Sequence, residues 1–263
     1  MQHNIHFITA NRLRPSTPSR VWTPLDMTTT GWWDFGGVAS GSISQVDDKD
    51  GTQHLSQSTG GDQPESGVRT INGLNVGDFD GSEWMESISH PIDASGDVSI
   101  YVVAEIDNIN NSSDSIFSLK GSSNDFQFEA NNGSQFNGRL RASGIGSNVN
   151  LTGGSFEGTS IYNTNFDFSG TGVYNVFIDG IKRGADTTYN TKLDTPANFL
   201  LATNRNESNS VNCGVAEVII TTDKSDLNRL RIEGWLAHKH GTQGNLPNDH
   251  PYKNKVPMIR INN

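Results

Sequence analysis

The chain has 263 residues, a length that suits one large domain or two small ones, and its formal net charge is −10. That charge and a pI of about 5.0 disfavour binding along a nucleic-acid backbone. No stretch approaches the roughly 20 apolar residues of a membrane span, and the single cysteine, Cys213, excludes an internal disulfide framework and a Cys-rich zinc site.

The first 20 residues differ from the rest of the chain. Arg12, Arg14 and Arg20 alternate with two prolines, and no acidic residue lies among them. This pattern predicts an extended basic arm over residues 1–20 that anchors the chain to a neighbouring subunit. The alternative is an ordered terminal strand or a tail without such a role. The same stretch lacks the apolar segment of a secretory signal, so we expect the chain to fold in a cytosol.

Residues 21–263 are predicted to form one β-rich domain, because 28 Gly, 28 Asn and 28 Ser residues favour many short strands joined by turns. The run 98–104 is apolar and β-branched, as expected of a buried strand. Asp179 and Gly180 suit the two positive-φ positions of a type I′ turn, which predicts a hairpin over 173–182. Further strands are predicted at 116–119, 126–129, 199–202 and 215–220, with less regular hairpins between 120 and 172.

One helix is predicted over about 226–240. Ser225 or Asp226 can cap its N-terminus, no proline interrupts it, and Gly241 supplies a C-terminal stop. A helical period places one set of residues on a common face, which we expect to be buried. This face consists of Leu227, Leu230, Gly234 and Ala237. Residues 243–263 contain three prolines and are predicted to be an extended strap across the domain.

Short motifs follow one another in a fixed order over residues 21–257. They are 22–26, 33–34, 48–51, Gln57, 63–64, 79–81, 217–220, 233–239, 246–247 and 250–253. Together they resemble the concanavalin A-like (laminin-G-like) jelly-roll domains, and the tract 233–253 is similar to the C-terminal signature of that family. Val46 and His240 depart from the pattern, since tryptophan is common at both positions.

The resemblance implies an all-β fold: a concanavalin A-like two-sheet antiparallel jelly-roll sandwich with one short C-terminal helix. It does not imply one function, because lectins, glycanases and adhesion modules share this fold. Such domains are frequent in the tail and capsid-surface proteins of bacteriophages. By this analogy we expect a virion component assembled in the host cytoplasm, with an extracellular or cell-surface protein as the alternative.

Glycan hydrolysis is the sharpest enzyme hypothesis. The related glycanases place carboxylates on one strand in a Glu-x-Asp-x-x-Glu pattern, which Glu105 and Asp107 begin. Asn110 stands where the second glutamate should be, and an amide cannot act as a general acid. Glu83 and Glu86 differ by three positions, so they would face opposite sides of a strand. We therefore predict a non-catalytic protein, with an unusual glycanase as a less favoured hypothesis.

Two acidic loops are candidates for calcium, the one cofactor that the sequence suggests. Asp48 and Asp50 lie in the first loop, and Asp78 and Asp80 lie in the second. Calcium prefers six to eight oxygen ligands, which converging aspartates and carbonyls can supply. The alternative is a pair of turns in which each aspartate accepts hydrogen bonds from its own backbone.

Other site patterns are weak. On a helix, His238 and His240 point about 200° apart, so they cannot share one zinc ion. No nucleophile elbow and no phosphate-binding glycine loop with a following lysine is present. Cys213 precedes a predicted buried strand, and we expect it to be an inert core thiol.

Sugar binding requires aromatic rings that stack on pyranose faces, flanked by polar donors and acceptors. The candidate ligand-binding residues are Trp32, Trp84, Tyr162, Tyr174 and Tyr189. Each of them could instead belong to the core. Asn-rich loops around 108–113, 131–137 and 203–212 are candidate recognition loops. Alternatively, they are solvated hairpin tips without a ligand.

The leading functional hypothesis is a non-catalytic structural or accessory protein of a phage particle, such as a capsid decoration, tail or fibre component. Its arm would bind other virion proteins, and its lectin-like domain would meet the host surface or cell-surface glycans. The alternative is a free carbohydrate-binding lectin. We expect neither nucleic-acid binding nor membrane insertion. A homo-oligomer on the particle is expected, because edge strands can pair between subunits.

Overall fold

A computed structural model describes residues 19–92, 97–109, 114–121, 125–131, 135–142, 145–150, 158–167, 172–189 and 197–261 of the chain. Its first ten strands are β1 Ser19–Val21, β2 Gly31–Asp34, β3 Gly41–Ser42, β4 Gln45–Val46, β5 Leu55–Ser56, β6 Glu65–Ser66, β7 Thr70–Ile71, β8 Leu74–Asn75, β9 Gly77–Asp80 and β10 Met85–Ile92. The following strands are β11 Asp97–Asn108, β12 Ser115–Lys120, β13 Asp125–Asn131, β14 Gln135–Ala142, β15 Ile145–Asn150, β16 Thr159–Asp167, β17 Gly172–Ile178, β18 Ile181–Tyr189, β19 Ala197–Leu201, β20 Asn212–Thr221 and β21 Met258–Arg260. The helix α1 spans Asp226–His240, and short 3₁₀ turns occur at Pro24–Asp26, Phe35–Gly37 and Gly60–Asp62.

Two large antiparallel sheets form a sandwich. The eight-stranded sheet has the order β15-β14-β13-β12-β19-β10-β5-β4. The nine-stranded sheet has the order β18-β17-β16-β11-β20-β9-β6-β3, and β2 pairs with β20 beside that path. This arrangement confirms the predicted all-β sandwich with one helix. None of the helices in the described part of the chain combines the length and the apolar composition that a membrane-crossing helix needs.

The main core lies between the two sheets. Side chains alternate along each strand, so that Phe126 and Phe128 of β13 point into the core. Phe126 contacts Phe166 of the opposite sheet edge-to-face, with ring centroids 4.5 Å apart. Trp33 stacks on Phe199 at 5.4 Å. Apolar burial and these ring contacts hold the two sheets together.

The strand predictions are confirmed, and the predicted hairpin is β17–β18. Asp179 has φ 51° and Gly180 has φ 76°, which are the two positive values that a type I′ turn requires. The Asp179 carboxylate accepts a hydrogen bond from the backbone N–H of Ile161 at 2.8 Å, which ties the turn to β16. The local sequence therefore determines the turn, and the contact with β16 fixes its place in the sheet.

A second core lies between α1 and the outer face of the nine-stranded sheet. Ile232 and Leu236 of the helix are fully buried there against Trp22 and Ile219. Ser225 caps the helix by accepting a hydrogen bond from the Asn228 backbone, and the helix ends at a left-handed glycine. The bounds of the predicted helix are therefore confirmed.

The predicted buried face of α1 is wrong in part. Gly234 and Ala237 are buried, but Leu227 is 54% exposed and Leu230 is only partly buried. The inner face also carries charged residues, because Glu233 forms a buried ion pair with Arg229. Apolar periodicity alone could not locate a face on which paired charges are buried.

The two ends of the described chain form a ribbon, in which β1 pairs with β21. The C-terminal segment is extended at β21, whereas most of 243–255 consists of turns and bends. Arg20 of the predicted arm lies in β1, and its Nη1 donates to Asp26 Oδ2 at 2.8 Å. The carboxylate of Asp26, which follows the predicted arm, therefore offsets the charge of Arg20. Arg12 and Arg14 lie outside the described residues.

Candidate functional site

The five aromatic residues predicted to stack on sugars differ in exposure. Tyr162 and Tyr174 are fully buried in the core between the sheets. Trp32 is 6% exposed and lies in the core under α1. These three rings offer no face to a ligand, which removes them from the candidates. The side chain of Tyr189 lies outside the described residues, and Trp84 keeps a partly exposed side chain.

Trp84 lies on a well-anchored loop between β9 and β10. Its backbone N–H donates to the carbonyl of Asp62 at 3.1 Å. Its own carbonyl accepts a hydrogen bond from Gln57 Nε2 at 3.2 Å. The preceding Glu83 accepts a hydrogen bond from the backbone N–H of Asp80 at 2.8 Å. The chain therefore holds Trp84 beside a carboxylate.

The predicted acidic loops contain turns built on aspartate. Asp48 accepts hydrogen bonds from the backbone N–H groups of Asp50, at 3.3 Å, and Gln53, at 3.1 Å. Asp80 accepts from the backbone N–H of Ser82 at 2.9 Å. These bonds support the turn interpretation for both residues. Within the described ranges, no group of three or more His, Cys, Asp or Glu side chains is arranged to hold a metal ion. Calcium binding stays a prediction.

Asp78 belongs instead to an ion-pair cluster centred on Arg69. The Arg69 guanidinium donates to Asp78 through Nε and to both carboxylate oxygens of Asp107 through its terminal nitrogens. Glu105 Oε2 lies 3.9 Å from Arg69 Nη1. One cation thus faces three carboxylates, and the surplus of negative charge disfavours an anionic ligand at this surface.

Gly214 makes room for this arrangement. It lies in β20, between Glu105 of β11 and Asp78 of β9 in the sheet register. A Cβ atom at this position would lie 2.9 Å from Arg69 Cδ. The missing side chain therefore lets Arg69 lie across the strand and reach carboxylates on both sides. We name Arg69, Asp78, Glu105 and Asp107 the Arg69 cluster.

The carboxylates considered for catalysis lie in different surroundings. Burial raises the pKa of Glu83 to about 7, and the charges of Asp80 and Asp78 add to the effect. Burial also raises the pKa of Glu86, which accepts a hydrogen bond from Asn198 at 3.5 Å. The neighbouring charges differ as well, because Asp80 acts on Glu83 and Glu207 acts on Glu86.

The loop over 203–212, predicted to recognise a ligand, packs across the eight-stranded sheet. Ser118 Oγ of β12 donates to the carbonyl of Thr203 at 2.6 Å. Arg205 forms an ion pair with Asp125 of β13, which is almost fully buried. Of the other two candidate loops, residues 110–113 and 132–134 lie outside the described residues.

A polar cleft of about 530 Å³ lies beside the Arg69 cluster. The C-terminal end of α1, at His240, and the segment that follows it form one wall. The hairpin β7–β8 forms the other, with Asn72 Nδ2 donating to the carbonyl of Lys239 at 2.9 Å. Glu105 and Thr159, register partners in β11 and β16, line the cleft from the sheet.

The histidines near this cleft have separate partners. His240 Nε2 lies 2.7 Å from Glu217 Oε2, and His238 Nε2 lies 2.9 Å from the carbonyl of Tyr252. Cys213 is a free, fully buried thiol whose pKa is raised by burial, which confirms its place in the core. Sequence reasoning did not find the roles of Arg69 or Glu217, because their contacts are distant along the chain. Gly214, next to Cys213, is the local signal that another group lies close to this strand.

No protein-family model matches the sequence, and no curated protein matches it significantly. Among solved structures, the chain is similar to domain 4 of AbnA, an extracellular GH43 arabinanase of Geobacillus stearothermophilus, determined with arabinotriose. The TM-score is 0.53 at 13% identity, over 73% of this chain and 91% of that one. It is also similar to the binding domain of Paraclostridial Mosquitocidal Protein 1, with a TM-score of 0.57 at 10% identity over 76% of this chain and 50% of that one.

A third similar structure is the sialidase of Trypanosoma rangeli, with a TM-score of 0.53 at 13% identity over 80% of this chain. The chain spans 32% of that enzyme. At these identities the similarity shows the fold alone. The described strands form a two-sheet β-sandwich, as the concanavalin A-like resemblance implies, and the similarity to these structures agrees with that fold.

Proposed function

We propose that the chain is a non-catalytic carbohydrate-binding module that holds neutral glycans at Trp84 and the adjoining Arg69 cluster. The observation that carries this proposal is Trp84 itself: a partly exposed aromatic side chain on a loop anchored at both backbone groups. Glu83, next to Trp84, accepts a hydrogen bond from the backbone of Asp80, and Asp80 lies two residues after Asp78 in β9, so Trp84 lies near the Arg69 cluster. The arabinotriose bound by the similar arabinanase domain supports the assignment.

The chemistry of this surface suits neutral sugars. A tryptophan ring offers an apolar face on which the C–H face of a pyranose can stack, at little conformational cost. Carboxylates accept hydrogen bonds from hydroxyl groups. The surplus of negative charge around Arg69 repels sialic and uronic acids, because the guanidinium is already shared by three carboxylates.

The non-catalytic part of the proposal rests on the carboxylates of β11. Both oxygens of Asp107 accept hydrogen bonds from Arg69, so this carboxylate is already engaged in an ion pair. Glu105 lies beside the same guanidinium. Hydrolysis of any bound glycan that is lost in Glu105→Gln, Asp107→Asn or Glu83→Gln would overturn this part.

The experiment is a glycan-array screen of the full chain, with Ca²⁺ and with EDTA, over neutral, sialylated and uronic glycans. We expect selective binding of neutral glycans, and about tenfold or more loss of affinity in Trp84→Ala. Trp84→Phe keeps an aromatic face and should lose less affinity than Trp84→Ala. Leu25→Ala removes a 65% exposed apolar side chain elsewhere and should bind normally. A blank array, or equal binding by Trp84→Ala, overturns the proposal.

A finer proposal is that a bacteriophage particle displays this module through the arm that includes Arg12 and Arg14. It rests on the family resemblance and on the basic character of the arm. Deletion of residues 1–18 leaves β1 in place and tests the anchoring role. A shortened chain that still sediments with its particle would overturn that role. Sedimentation of the free chain tests the expected homo-oligomer.

A further inference from the structure

Exposed apolar side chains gather at the ribbon that β1 and β21 form. Seven large apolar side chains are exposed in the described part of the chain, and four of them lie at this ribbon. They are Val21, Leu25, Met258 and Ile261, which are 39–65% exposed. Exposed apolar residues are ordinary when they occur singly, whereas a group of them marks a surface for another protein segment. We name these four residues the ribbon patch.

The register of the ribbon places two of these side chains next to each other. Val21 and Met258 are partners in the antiparallel pairing of β1 with β21, and such partners project from the same face. Ile259 packs against the core under α1, so Met258 and its partner face away from that core. A side-chain hydrogen bond joins Asp26 to β1 and holds the neighbouring Leu25 beside the ribbon.

The ribbon has open edges as well as an apolar outer face. In the part of the chain that the structure describes, β1 and β21 pair only with each other and form a separate two-stranded sheet. Two strands this short are marginally stable by themselves, and a further strand or a partner on the apolar face stabilises them. The backbone groups along an open edge can pair with an extended segment. One extended apolar segment could therefore cover both the edge and the patch.

The chain itself contains a segment that suits this surface. Residues 1–18 precede β1 and lie outside the described residues. Within them, residues 4–11 include Ile5, Phe7 and Ile8 and no Lys, Arg, Asp or Glu. Ile5 and Phe7 would share one face of an extended segment, because they are two positions apart. Covering this stretch removes apolar surface from water without burying a permanently charged side chain.

The link between this segment and β1 favours a second copy of the chain as its source. Ten residues, 9–18, separate Ile8 from Ser19, and they include Pro15 and Pro18. A residue before a proline prefers an extended backbone, which disfavours the reversal needed to bring the segment back onto its own ribbon. Ten extended residues span up to roughly 35 Å, which is far enough to reach another molecule.

We propose that the ribbon patch binds residues 5–8 of a second copy of this chain. The apolar side chains of the segment cover Val21 and Met258, and its backbone pairs with an open edge of the ribbon. Each copy can offer its segment to the patch of the other, which closes a symmetric dimer. This inference goes beyond the proposed function and is independent of glycan binding at Trp84.

The test is sedimentation velocity of the full chain and of two full-length variants over a range of concentrations. The segment variant carries Ile5→Ser and Phe7→Ser. The patch variant carries Val21→Ser and Met258→Ser. We expect the parent to form a dimer, and the dissociation constant of each variant to be at least about tenfold higher. Val68→Ser, at a 61% exposed apolar residue outside the patch, is the matched control and should dimerise as the parent does.

An equimolar mixture of the two variants distinguishes a second copy from the same chain. The segment variant keeps an intact patch, and the patch variant keeps an intact segment. The mixture should therefore form a complex, joined by one contact, at a concentration where neither variant associates alone. Both variants should melt at the temperature of the monomeric parent, because Val21 and Met258 are exposed. A monomeric parent, a mixture without this complex, or variants that dimerise like the parent would overturn the proposal.

Discussion

Glu233 of α1 and His250 of the C-terminal segment meet in a buried contact, with 3.3 Å between Glu233 Oε2 and His250 Nε2. Arg229 Nη1 donates to both carboxylate oxygens of Glu233, at 2.9 and 3.0 Å. The guanidinium also lies over the ring of Phe177, 4.1 Å from its centroid. This group of contacts joins the helix, the sheet and the C-terminal segment at one point.

We expect Glu233→Gln to destabilise the fold by about 2–4 kcal/mol, because removing one partner leaves Arg229 charged and poorly compensated inside the protein. Asp226→Asn is the matched control. Asp226 contacts the same guanidinium, but its side chain is 85% exposed, so its loss should cost less than about 1 kcal/mol. Urea unfolding followed by tryptophan fluorescence measures both changes. Equal losses in the two variants would show that burial does not set the strength of the contact.

Gly234 allows the C-terminal segment to lie against α1. A Cβ atom at Gly234 would lie 2.4 Å from Tyr252 Cβ, a distance that real Cβ atoms do not reach. Alanine favours helix by about 1 kcal/mol over glycine, but overpacking costs about 1–3 kcal/mol. We therefore expect Gly234→Ala to destabilise the protein in spite of its higher helix propensity.

The control for Gly234→Ala is Gly244→Ala, because a Cβ atom at Gly244 would meet nothing within 4 Å. Gly244→Ala should change the free energy of unfolding by less than about 0.5 kcal/mol. Thermal unfolding of both variants measures the difference. A Gly234→Ala protein as stable as the parent would mean that the segment around Tyr252 moves at no cost.

Local features of the sequence predict the elements well. The turn at Asp179 and Gly180 and the helix cap at Ser225 depend on residues that are neighbours in the chain, so the sequence displays them directly. Burial of Tyr174 also follows from local pattern, because it shares one strand face with apolar side chains two and four positions on. That alternation is the signal that excludes Tyr174 as a ligand-binding residue.

The candidate sites could not be predicted in this way. Arg69 reaches Asp107, 38 positions along the chain, and His240 reaches Glu217 through the docking of α1 on β20. Both contacts depend on how elements distant in the chain pack together, which residue type and spacing do not reveal. The buried face of α1 was also difficult to predict, because charged residues on that face hide the apolar period of the helix.

Cys213 should report global unfolding. The thiol is fully buried, and burial raises its pKa, so little reactive thiolate forms in the native protein. We expect modification by Ellman's reagent to be at least about a thousandfold slower in buffer than in guanidinium chloride, because reaction requires the core to open. Thr52→Cys adds an exposed thiol as a control and should react at once with one equivalent. Fast modification of the native parent chain would contradict the burial of Cys213.

Glu83 should make the stability of the protein depend on pH near neutrality. Its pKa is about 7 in the folded protein against an ordinary value of 4.5, with burial as the main cause. Between these two values the folded chain holds a proton that the unfolded chain has released. The free energy of unfolding therefore falls as the pH rises from about 4.5 to 7, and this contribution then stays constant.

Glu83→Gln removes this dependence and keeps an oxygen that can accept from the Asp80 backbone. We expect the variant and the parent to be equally stable near pH 4. Above pH 8 the variant should be more stable by on the order of 1 kcal/mol, a magnitude reduced by the partial exposure of the side chain. Urea unfolding of both proteins at pH 4, 5.5, 7 and 8.5 measures the difference. A difference that stays constant over this range would show that Glu83 ionises as it does in the unfolded chain.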